Sequence, residues 1–173
     1  MLDSDTVVLI FDRLFGARYK THLISGAEEP YYLFEPEGYS KIFFRCDYMS
    51  SALHEVAHWC IAGVKRRREN DYGYFYIADR SKEQQSQFER VERKAQALEW
   101  VFSVAARVPF EVSLDNFNHY DPIPFAKEVR VTVMALLAEG LTGRALVFAN
   151  ALSEEFGGVE FLLSRNYDAI PVR

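Results

Sequence analysis

Two histidines four residues apart, inside an apolar stretch, most constrain how this chain can fold. Residues 54–58 read H-E-V-A-H and lie between Leu53 and Ala62. On an α-helix, four residues turn the side-chain direction by about 400°, so both imidazoles leave the same face one turn apart. Apolar neighbours indicate a buried helix, where a pair of imidazoles is well placed to bind one metal ion. The motif therefore predicts a metal-binding helix inside a folded core.

Composition excludes several classes of protein. The 173 residues are 49% hydrophobic and 26% charged, which is typical of a globular domain and not of a disordered chain. A net charge of −5 argues against a dedicated nucleic-acid binder. The longest clean apolar run, residues 131–138, is shorter than the roughly 18–20 residues of a membrane span. An acidic N-terminus and only two cysteines argue against secretion. We expect a cytoplasmic protein with one domain, residues 1–173, that binds neither nucleic acid nor a membrane.

The pattern of helices and strands predicts an α+β fold. We expect a small mixed or antiparallel sheet, a helix-rich C-terminal half and a metal site between two helices. Asp3 to Asp5 can cap the first helix, which is expected to end at Gly16, and Ser50 or Ser51 is expected to cap the helix that carries the histidines. Further predicted elements are strands at 21–24, 31–34, 41–44 and 72–77, and helices at about 81–107, 122–140 and 142–157.

A site with two histidines needs a third ligand, and the long helix at 81–107 offers two carboxylates. Glu92 and Glu99 fall within or at the edge of its apolar stripe on a helical wheel. A buried carboxylate is costly unless it is paired or binds a metal. Either glutamate could be the ligand while the other orients a histidine, or both could lie at the rim and pair with Arg93 or Lys94. The wheel does not separate these possibilities.

The other histidines and the cysteines are weaker candidates. His22 lies in a predicted strand and His119 in a polar loop, and an isolated histidine is more often structural than a ligand. Cys60 follows His58 by two residues and points away from the expected site. We expect Cys60 and Cys46 to be buried thiols.

Two further features are candidates for substrate binding. The basic run from Lys65 to Arg68, with Arg66 and Arg67 at its centre, favours a solvated face, and a docking patch for an acidic protein is the alternative. Tyr72 and Tyr74, with Tyr76, alternate along a predicted strand and would share one face. That face would line the core or a wall of the active site.

Several stretches of the sequence resemble the bacterial elongation factor P hydroxylase family. Residues 51–63, S-A-L-H-E-V-A-H-W-C-I-A-G, are far more specific than the bare H-E-x-x-H motif. The resemblance covers most of the chain up to about residue 140, and the last 30 residues are less distinctive. The other matching stretches are residues 24–32, 71–74, 85–89, 91–92, 96–98 and 109–116.

The resemblance implies a chemistry and a ligand set. It implies hydroxylation of a lysine of elongation factor P that already carries a β-lysyl group, at a mononuclear metal site that is expected to hold Fe(II). Carried over to this sequence, the ligands are His54, His58 and Glu92. Position 99 can be Asp in this family, so Glu99 is expected to orient a ligand and not to bind the metal.

Three ligands on one side of the metal leave positions for dioxygen, as expected of a monooxygenase. The sequence shows no motif for a flavin, a nucleotide or 2-oxoglutarate, so the electron donor stays open.

The sequence also allows two functions other than hydroxylation. A zinc metallopeptidase would use the same motif with Glu55 as the general base that activates a metal-bound water. In a hydroxylase, Glu55 would only support the ligands or the fold. A metal-stabilised interaction module without enzymatic activity is the third possibility.

Overall fold

The computed structural model describes residues 4–74, 82–113, 121–158 and 160–172. The chain divides into two compact units, Met1–Asp79 and Arg80–Arg173. The first contains a sheet and short helices, and the described part of the second is helical. The expected α+β class is confirmed. The single domain over residues 1–173 stays a prediction.

The first unit begins with a helical segment that continues past the predicted stop. Helix α1, Ser4–Phe11, is followed by a wider π turn, Asp12–Gly16, and by the short helix α2, Ala17–Tyr19. The prediction that Gly16 ends the helix is wrong, because its backbone is helical with φ −49°. The π turn carries the helix through the glycine, and the segment ends at Lys20, whose φ of 47° is left-handed.

Three short strands form a mixed sheet in the order β1-β3-β2. They are β1 (Thr21–Ala27), β2 (Tyr31–Leu33) and β3 (Ser40–Arg45). Strand β3 pairs parallel with β1 and antiparallel with β2. All three strands lie where the sequence predicts them, and the mixed alternative of the predicted sheet is the observed one.

One face of the sheet is buried, as the alternation of apolar residues predicts. Ile42 of β3 is in register with Leu23 on one side and Tyr32 on the other, and each of the three is at most 2% exposed. This face packs near the helices, since β1 contacts α1 and β3 contacts the next helix, α3 (Met49–Ile61).

Helix α3 begins differently from the prediction. The N-cap residue is Tyr48, which makes no side-chain capping bond, so neither Ser50 nor Ser51 caps the helix. The hydroxyl of Ser51 instead accepts a hydrogen bond from the Arg45 N–H at the end of β3, at 3.0 Å. The serine therefore joins the helix to the sheet.

The predicted strand at 72–77 is wrong where the structure describes it. Two tight 3-10 turns, Arg66–Arg68 and Asn70–Gly73, occupy this part of the chain, and residues 75–77 lie outside the described residues. The backbone is left-handed at Asp71 (φ 46°) and Tyr72 (φ 57°). A β-strand has strongly negative φ throughout, so the tyrosine alternation does not mark a strand here.

The second unit is built on a long helix. Helix α4, Lys82–Ala105, packs against α5, Pro122–Glu139, and against α6, Gly143–Phe156. Helix α5 starts at Pro122, as the sequence predicts. The carboxylate of Asp121 caps it by accepting a hydrogen bond from the Ile123 N–H. Helix α6 also lies where it is predicted.

The two ends of α6 are formed differently. Thr142 precedes the helix without a side-chain capping bond. At the other end, Gly157 takes the left-handed conformation with φ 80°.

Among the described residues, no single helix is both long enough and apolar enough to cross a membrane. Helices α5 and α6 reach the required length and hydropathy only as a pair, and the pair is bent by 96°.

Gly158 provides a test of packing in the second unit. A Cβ at this position would overlap the backbone carbonyl of Ala105 at the end of α4. We expect Gly158→Ala to lower the free energy of unfolding by about 1–3 kcal/mol, because backbone atoms must shift to admit the methyl group. Gly63→Ala is the matched control, since a Cβ there meets no atom within 4 Å. Chemical denaturation of both variants checks this, and equal stabilities would contradict it.

Candidate metal centre

Helix α3 brings His54 and His58 together on one face. Their Nε2 atoms are 3.0 Å apart, and the ring planes meet at 77°. Both side chains are half-buried. The predicted arrangement of the two imidazoles is therefore observed, and their ring nitrogens converge on one point of the helix surface.

The rest of α3 anchors this pair. Buried apolar side chains fix the helix within the first unit, and Trp59 contacts an aromatic cluster. The buried residues of α3 are Ala52, Leu53, Glu55, Val56, Ala57 and Trp59. The aromatic partners of Trp59 are Phe11, Phe15 and Tyr19. The orientation of the two imidazoles is thus set by a helix that has little freedom to rotate.

Glu55, between the two histidines, is only 9% exposed. A carboxylate in such a position needs compensating interactions, because charge is costly to bury. Its role as a general base or as a support for the ligands stays a prediction.

Arg67 ties the end of α3 to the aromatic cluster. Its guanidinium lies over the rings of Trp59 and Tyr19, at 5.6 Å and 5.7 Å from the centroids. It also donates a hydrogen bond to the backbone carbonyl of Ala62, just after the helix. Arg67 thus satisfies one of the carbonyls that a helix end leaves without a helical partner.

Arg66 fixes the turn that follows. Its Nη1 donates to the carbonyl of Tyr72 at 3.0 Å and lies 3.4 Å from that of Gly73. Its guanidinium also lies 4.6 Å from the ring centroid of Tyr74. The favoured prediction of a solvated face is therefore wrong for Arg66 and Arg67, which are half-buried, and it fits only Lys65 and Arg68.

Two hydrogen bonds join the Asn70–Gly73 turn to β2 and the residue after it, and a third joins β2 to the preceding turn. Asp71 Oδ1 accepts from the Tyr32 N–H and Asn70 Oδ1 accepts from the Phe34 N–H, each at 2.9 Å. The hydroxyl of Tyr32 donates to the carbonyl of Arg67 at 2.8 Å. Burial raises the pKa of the Asp71 carboxyl, and the hydrogen bond from Tyr32 opposes this shift.

This turn places Tyr72 beside the histidine pair. The Tyr72 ring stacks on Tyr32, with centroids 4.5 Å apart, and lies nearly parallel to the ring of His58 at 6.4 Å. Burial raises the pKa of the Tyr72 hydroxyl well above its ordinary value, and the charge of Glu55 adds to this effect. Tyr74 contacts Arg66 instead, so the two tyrosines do not alternate along a strand, and Tyr76 lies outside the described residues.

Sequence reasoning missed the left-handed turn because aromatic alternation is typical of strands. The available signal was the run Asn70-Asp71-Tyr72-Gly73, since Asn, Asp and Gly together favour turns with positive φ.

The carboxylate candidates lie on α4 in the second unit. Glu99 is buried, with 8% of its surface exposed, whereas Glu92 is half-buried. Arg93 pairs with Glu128 of α5 at 2.8 Å. Gln96 is the neighbour that sequence reasoning missed. It is 2% exposed, and its Nε2 lies 3.5 Å from Glu92 Oε2.

Gln96 is itself fixed at both ends of its amide. Its Nε2 donates to the carbonyl of Ser113 at 2.8 Å, and its Oε1 accepts from the Ser113 N–H at 3.0 Å. The amide therefore has one orientation, with Nε2 on the side of Glu92. Its polar character and its place one turn after Glu92 were the signals that could have identified it.

The remaining candidates are two histidines and two cysteines. His22 is on β1, as predicted, and its Nδ1 is 2.9 Å from the carboxylate of Asp12. His119 lies outside the described residues. The prediction of buried thiols is wrong, because Cys46 is exposed and Cys60 is half-buried. Cys46 follows the end of β3 with a left-handed φ of 50°, in a bend at the surface.

Comparison with known proteins identifies the family. A family model described as elongation factor P hydroxylase matches residues 10–165, which extends beyond residue 140, where the resemblance ended. An elongation factor P lysine hydroxylase from Haemophilus influenzae is 41% identical over 153 residues, which are 86% of this chain and 86% of that protein. Both findings confirm the resemblance carried by the H-E-x-x-H helix, and with it the expectation of a hydroxylating enzyme of the oxidoreductase class. The chain belongs to the elongation factor P hydroxylase family.

Proposed function

We propose that this chain is a metal-dependent monooxygenase that hydroxylates a lysine side chain of elongation factor P. The observation that carries the proposal is the convergence of two imidazoles on α3 in a member of this family. The lysine in this proposal already carries a β-lysyl group, and the reaction takes place in the cytoplasm with dioxygen as co-substrate. One oxygen atom enters the substrate and the other becomes water, so a reductant outside this chain supplies two electrons.

The distance between the two imidazole nitrogens fits binding to one shared metal ion. Two nitrogens at about 2.1 Å from one ion are about 3.0 Å apart at a right angle and about 3.4 Å apart at a tetrahedral angle. The His54 and His58 Nε2 atoms are 3.0 Å apart. The two nitrogens are therefore close enough to bind one ion, and with a carboxylate they would complete the two-histidine, one-carboxylate set of non-haem Fe(II) oxygenases.

Glu92 is the third ligand in this proposal, as the family resemblance implies. A half-buried carboxylate suits this role, since it is shielded from bulk water without being enclosed. The fixed amide of Gln96 lies on one side of the carboxylate and favours one orientation of it. Glu99, which is more deeply buried, orients a ligand and does not bind the metal.

The metal supplies the activation of dioxygen, and the residues of the chain supply position and enclosure. His54, His58 and Glu92 would hold this metal, which would activate the dioxygen. The buried apolar residues of α3 exclude water behind the histidines.

The four candidates for substrate binding divide into two pairs. The half-buried ring of Tyr74 offers an aromatic surface to the lysine chain, and the buried ring of Tyr72 supports the site beside His58. Arg66 and Arg67 act indirectly in this proposal, because their guanidinium groups already hold the turn and the end of α3.

Membership of the hydroxylase family favours this reaction over a zinc peptidase and over a non-enzymatic module. Glu55 accordingly supports the helix and its ligands in our proposal and is not the base of a hydrolytic reaction.

The ligand set predicts the metal stoichiometry. We expect the protein to bind one Fe(II) ion per chain, measured by anaerobic titration calorimetry and elemental analysis. His54→Ala, His58→Ala and Glu92→Ala should each lower the affinity for iron by roughly 100-fold or more. Removing a group that only hydrogen-bonds to a ligand already lowers metal affinity by roughly 10- to 100-fold, so removing the ligand itself should lower it further.

Two variants control for general effects of substitution on metal binding. His22→Ala and Glu89→Ala remove a histidine and a carboxylate outside the proposed ligand set, and both should bind iron as the unaltered protein does. Full affinity in Glu92→Ala would rule out Glu92 as a ligand.

The reaction itself is tested by co-expression with β-lysylated elongation factor P. We expect the modified peptide to gain the mass of one oxygen atom when iron is supplied, and to lose this gain with any of the three ligand variants while the proteins stay folded. Mass spectrometry of the peptide and circular dichroism of the variants provide the measurements. An unchanged peptide mass with the unaltered enzyme would refute the proposed function.

Glu55→Gln separates hydroxylase from peptidase. The amide retains the size of the side chain and removes its basicity, so a hydrolytic enzyme should lose essentially all activity. We expect the hydroxylase to retain measurable turnover in the same mass assay. Complete loss in a variant that still folds and binds iron would assign Glu55 a direct role in the reaction.

A further inference from the structure

The chain that follows α4 folds back along that helix. Residues 108–113, which we call the strap, lie antiparallel to it. The Val108 N–H donates to the carbonyl of Ser103 at 2.9 Å, and the ring of Phe110 stacks on Trp100 with centroids 5.3 Å apart. Each step along the strap meets an earlier residue of α4, so the strap runs back toward the start of the helix.

Backbone hydrogen bonds hold the end of the strap. The Val112 N–H donates to the carbonyl of Pro171 at 3.0 Å. At the next residue, the Ser113 N–H donates to Gln96 Oε1 at 3.0 Å, and the Ser113 carbonyl accepts from Gln96 Nε2 at 2.8 Å. Both of these bonds use backbone groups of Ser113, so the strap presents one donor and one acceptor to the amide of Gln96.

This pairing leaves one hydrogen of Gln96 Nε2 for another acceptor. A side-chain amide nitrogen carries two hydrogens, and the Ser113 carbonyl accepts one of them. The other is available to Glu92 Oε2, which lies 3.5 Å from the same nitrogen. This contact is longer than the two with Ser113, so the strap determines the orientation of the amide, and the amide in turn biases the carboxylate. Gln96 is 2% exposed, so bulk water has little access to that hydrogen.

The contact makes the two oxygens of the Glu92 carboxylate different from each other. An ionised carboxylate shares its charge between both oxygens, and each of them can accept a hydrogen bond or bind a cation. A donor fixed beside Oε2 competes with a metal for that oxygen and leaves Oε1 available. Hydrogen-bond partners of this kind orient metal ligands in proteins.

We propose that Gln96 is a positioning residue that keeps Oε2 of Glu92 off the metal, so that Glu92 binds through Oε1 alone. This inference rests on the proposed function, and within it on Glu92 as the third ligand. A carboxylate that binds through one oxygen occupies one position of the metal, whereas binding through both oxygens occupies two. The strap, acting through Gln96, therefore keeps one more position open for the reactants.

Infrared spectroscopy distinguishes the two ways of binding. The difference spectrum between the iron-bound and the metal-free protein, recorded without dioxygen, contains the two stretching bands of a carboxylate ligand. Their separation is wider for binding through one oxygen than through both, and bands that disappear in Glu92→Ala belong to Glu92. We expect widely separated bands for the unaltered protein. Gln96→Met, whose side chain has a similar length and donates no hydrogen bond, should bring them closer together.

Calorimetric titration gives a second readout that does not depend on turnover. Gln96→Met should lower the affinity for Fe(II) by roughly 10- to 100-fold, because the carboxylate loses the group that orients it. Ser113→Pro removes the N–H that fixes Gln96 Oε1, so it should change the bands and the affinity in the same direction. Ser113→Ala is its matched control, since both backbone groups remain, and it should behave as the unaltered protein does.

A purely structural role for Gln96 makes different predictions. Phe110→Ala removes the stack on Trp100 and leaves the amide intact, so it should lower the Tm without changing the Glu92 bands or the affinity for iron. If Gln96 only tied the strap to α4, Gln96→Met would have the same effect, and that result overturns the inference. Closely spaced bands in the unaltered protein also overturn it. Failure of the proposed ligand shows separately, because the bands and the full affinity would then persist in Glu92→Ala.

Discussion

The site of this protein depends on keeping two imidazoles in contact at the surface of a buried helix. At 3.0 Å the two nitrogens lie within hydrogen-bonding distance of each other, so in the absence of metal one ring can donate to the other. This arrangement requires a helix that neither rotates nor frays. The aromatic cluster around Trp59 prevents rotation, and Arg67 closes the end of the helix by binding the Ala62 carbonyl.

Periodicity was sufficient to predict most of the fold. The three strands follow from alternating apolar residues between glycines and prolines, and α3 to α6 follow from helical periodicity with Pro and Gly at their ends. The convergence of His54 and His58 follows from helix geometry alone. These features are encoded within a few neighbouring residues, which is why they can be read from one sequence.

The errors arise where distant contacts override local preferences. Gly16 lies inside a helical segment because a π turn continues through it. Tyr72 leaves the predicted strand because Arg66 binds its carbonyl and the neighbouring Asp71 accepts a hydrogen bond from Tyr32 of the distant strand β2. The helical wheel could not choose between Glu92 and Glu99, and the choice of Glu92 came from the family resemblance. Burial distinguishes the two, yet burial depends on packing that a wheel does not contain.

The turn that carries Tyr72 also has a consequence for the sheet. Strand β2 lies at an edge, where the N–H groups of Tyr32 and of Phe34, the residue after the strand, would otherwise be open to pairing with a strand of another molecule. Asp71 and Asn70 occupy both of these donors with side-chain oxygens. The short segment therefore acts as a cover that ends the sheet at β2. The same four residues, Asn70–Gly73, thus hold Tyr72 beside His58 and protect this edge of the sheet from pairing with another chain.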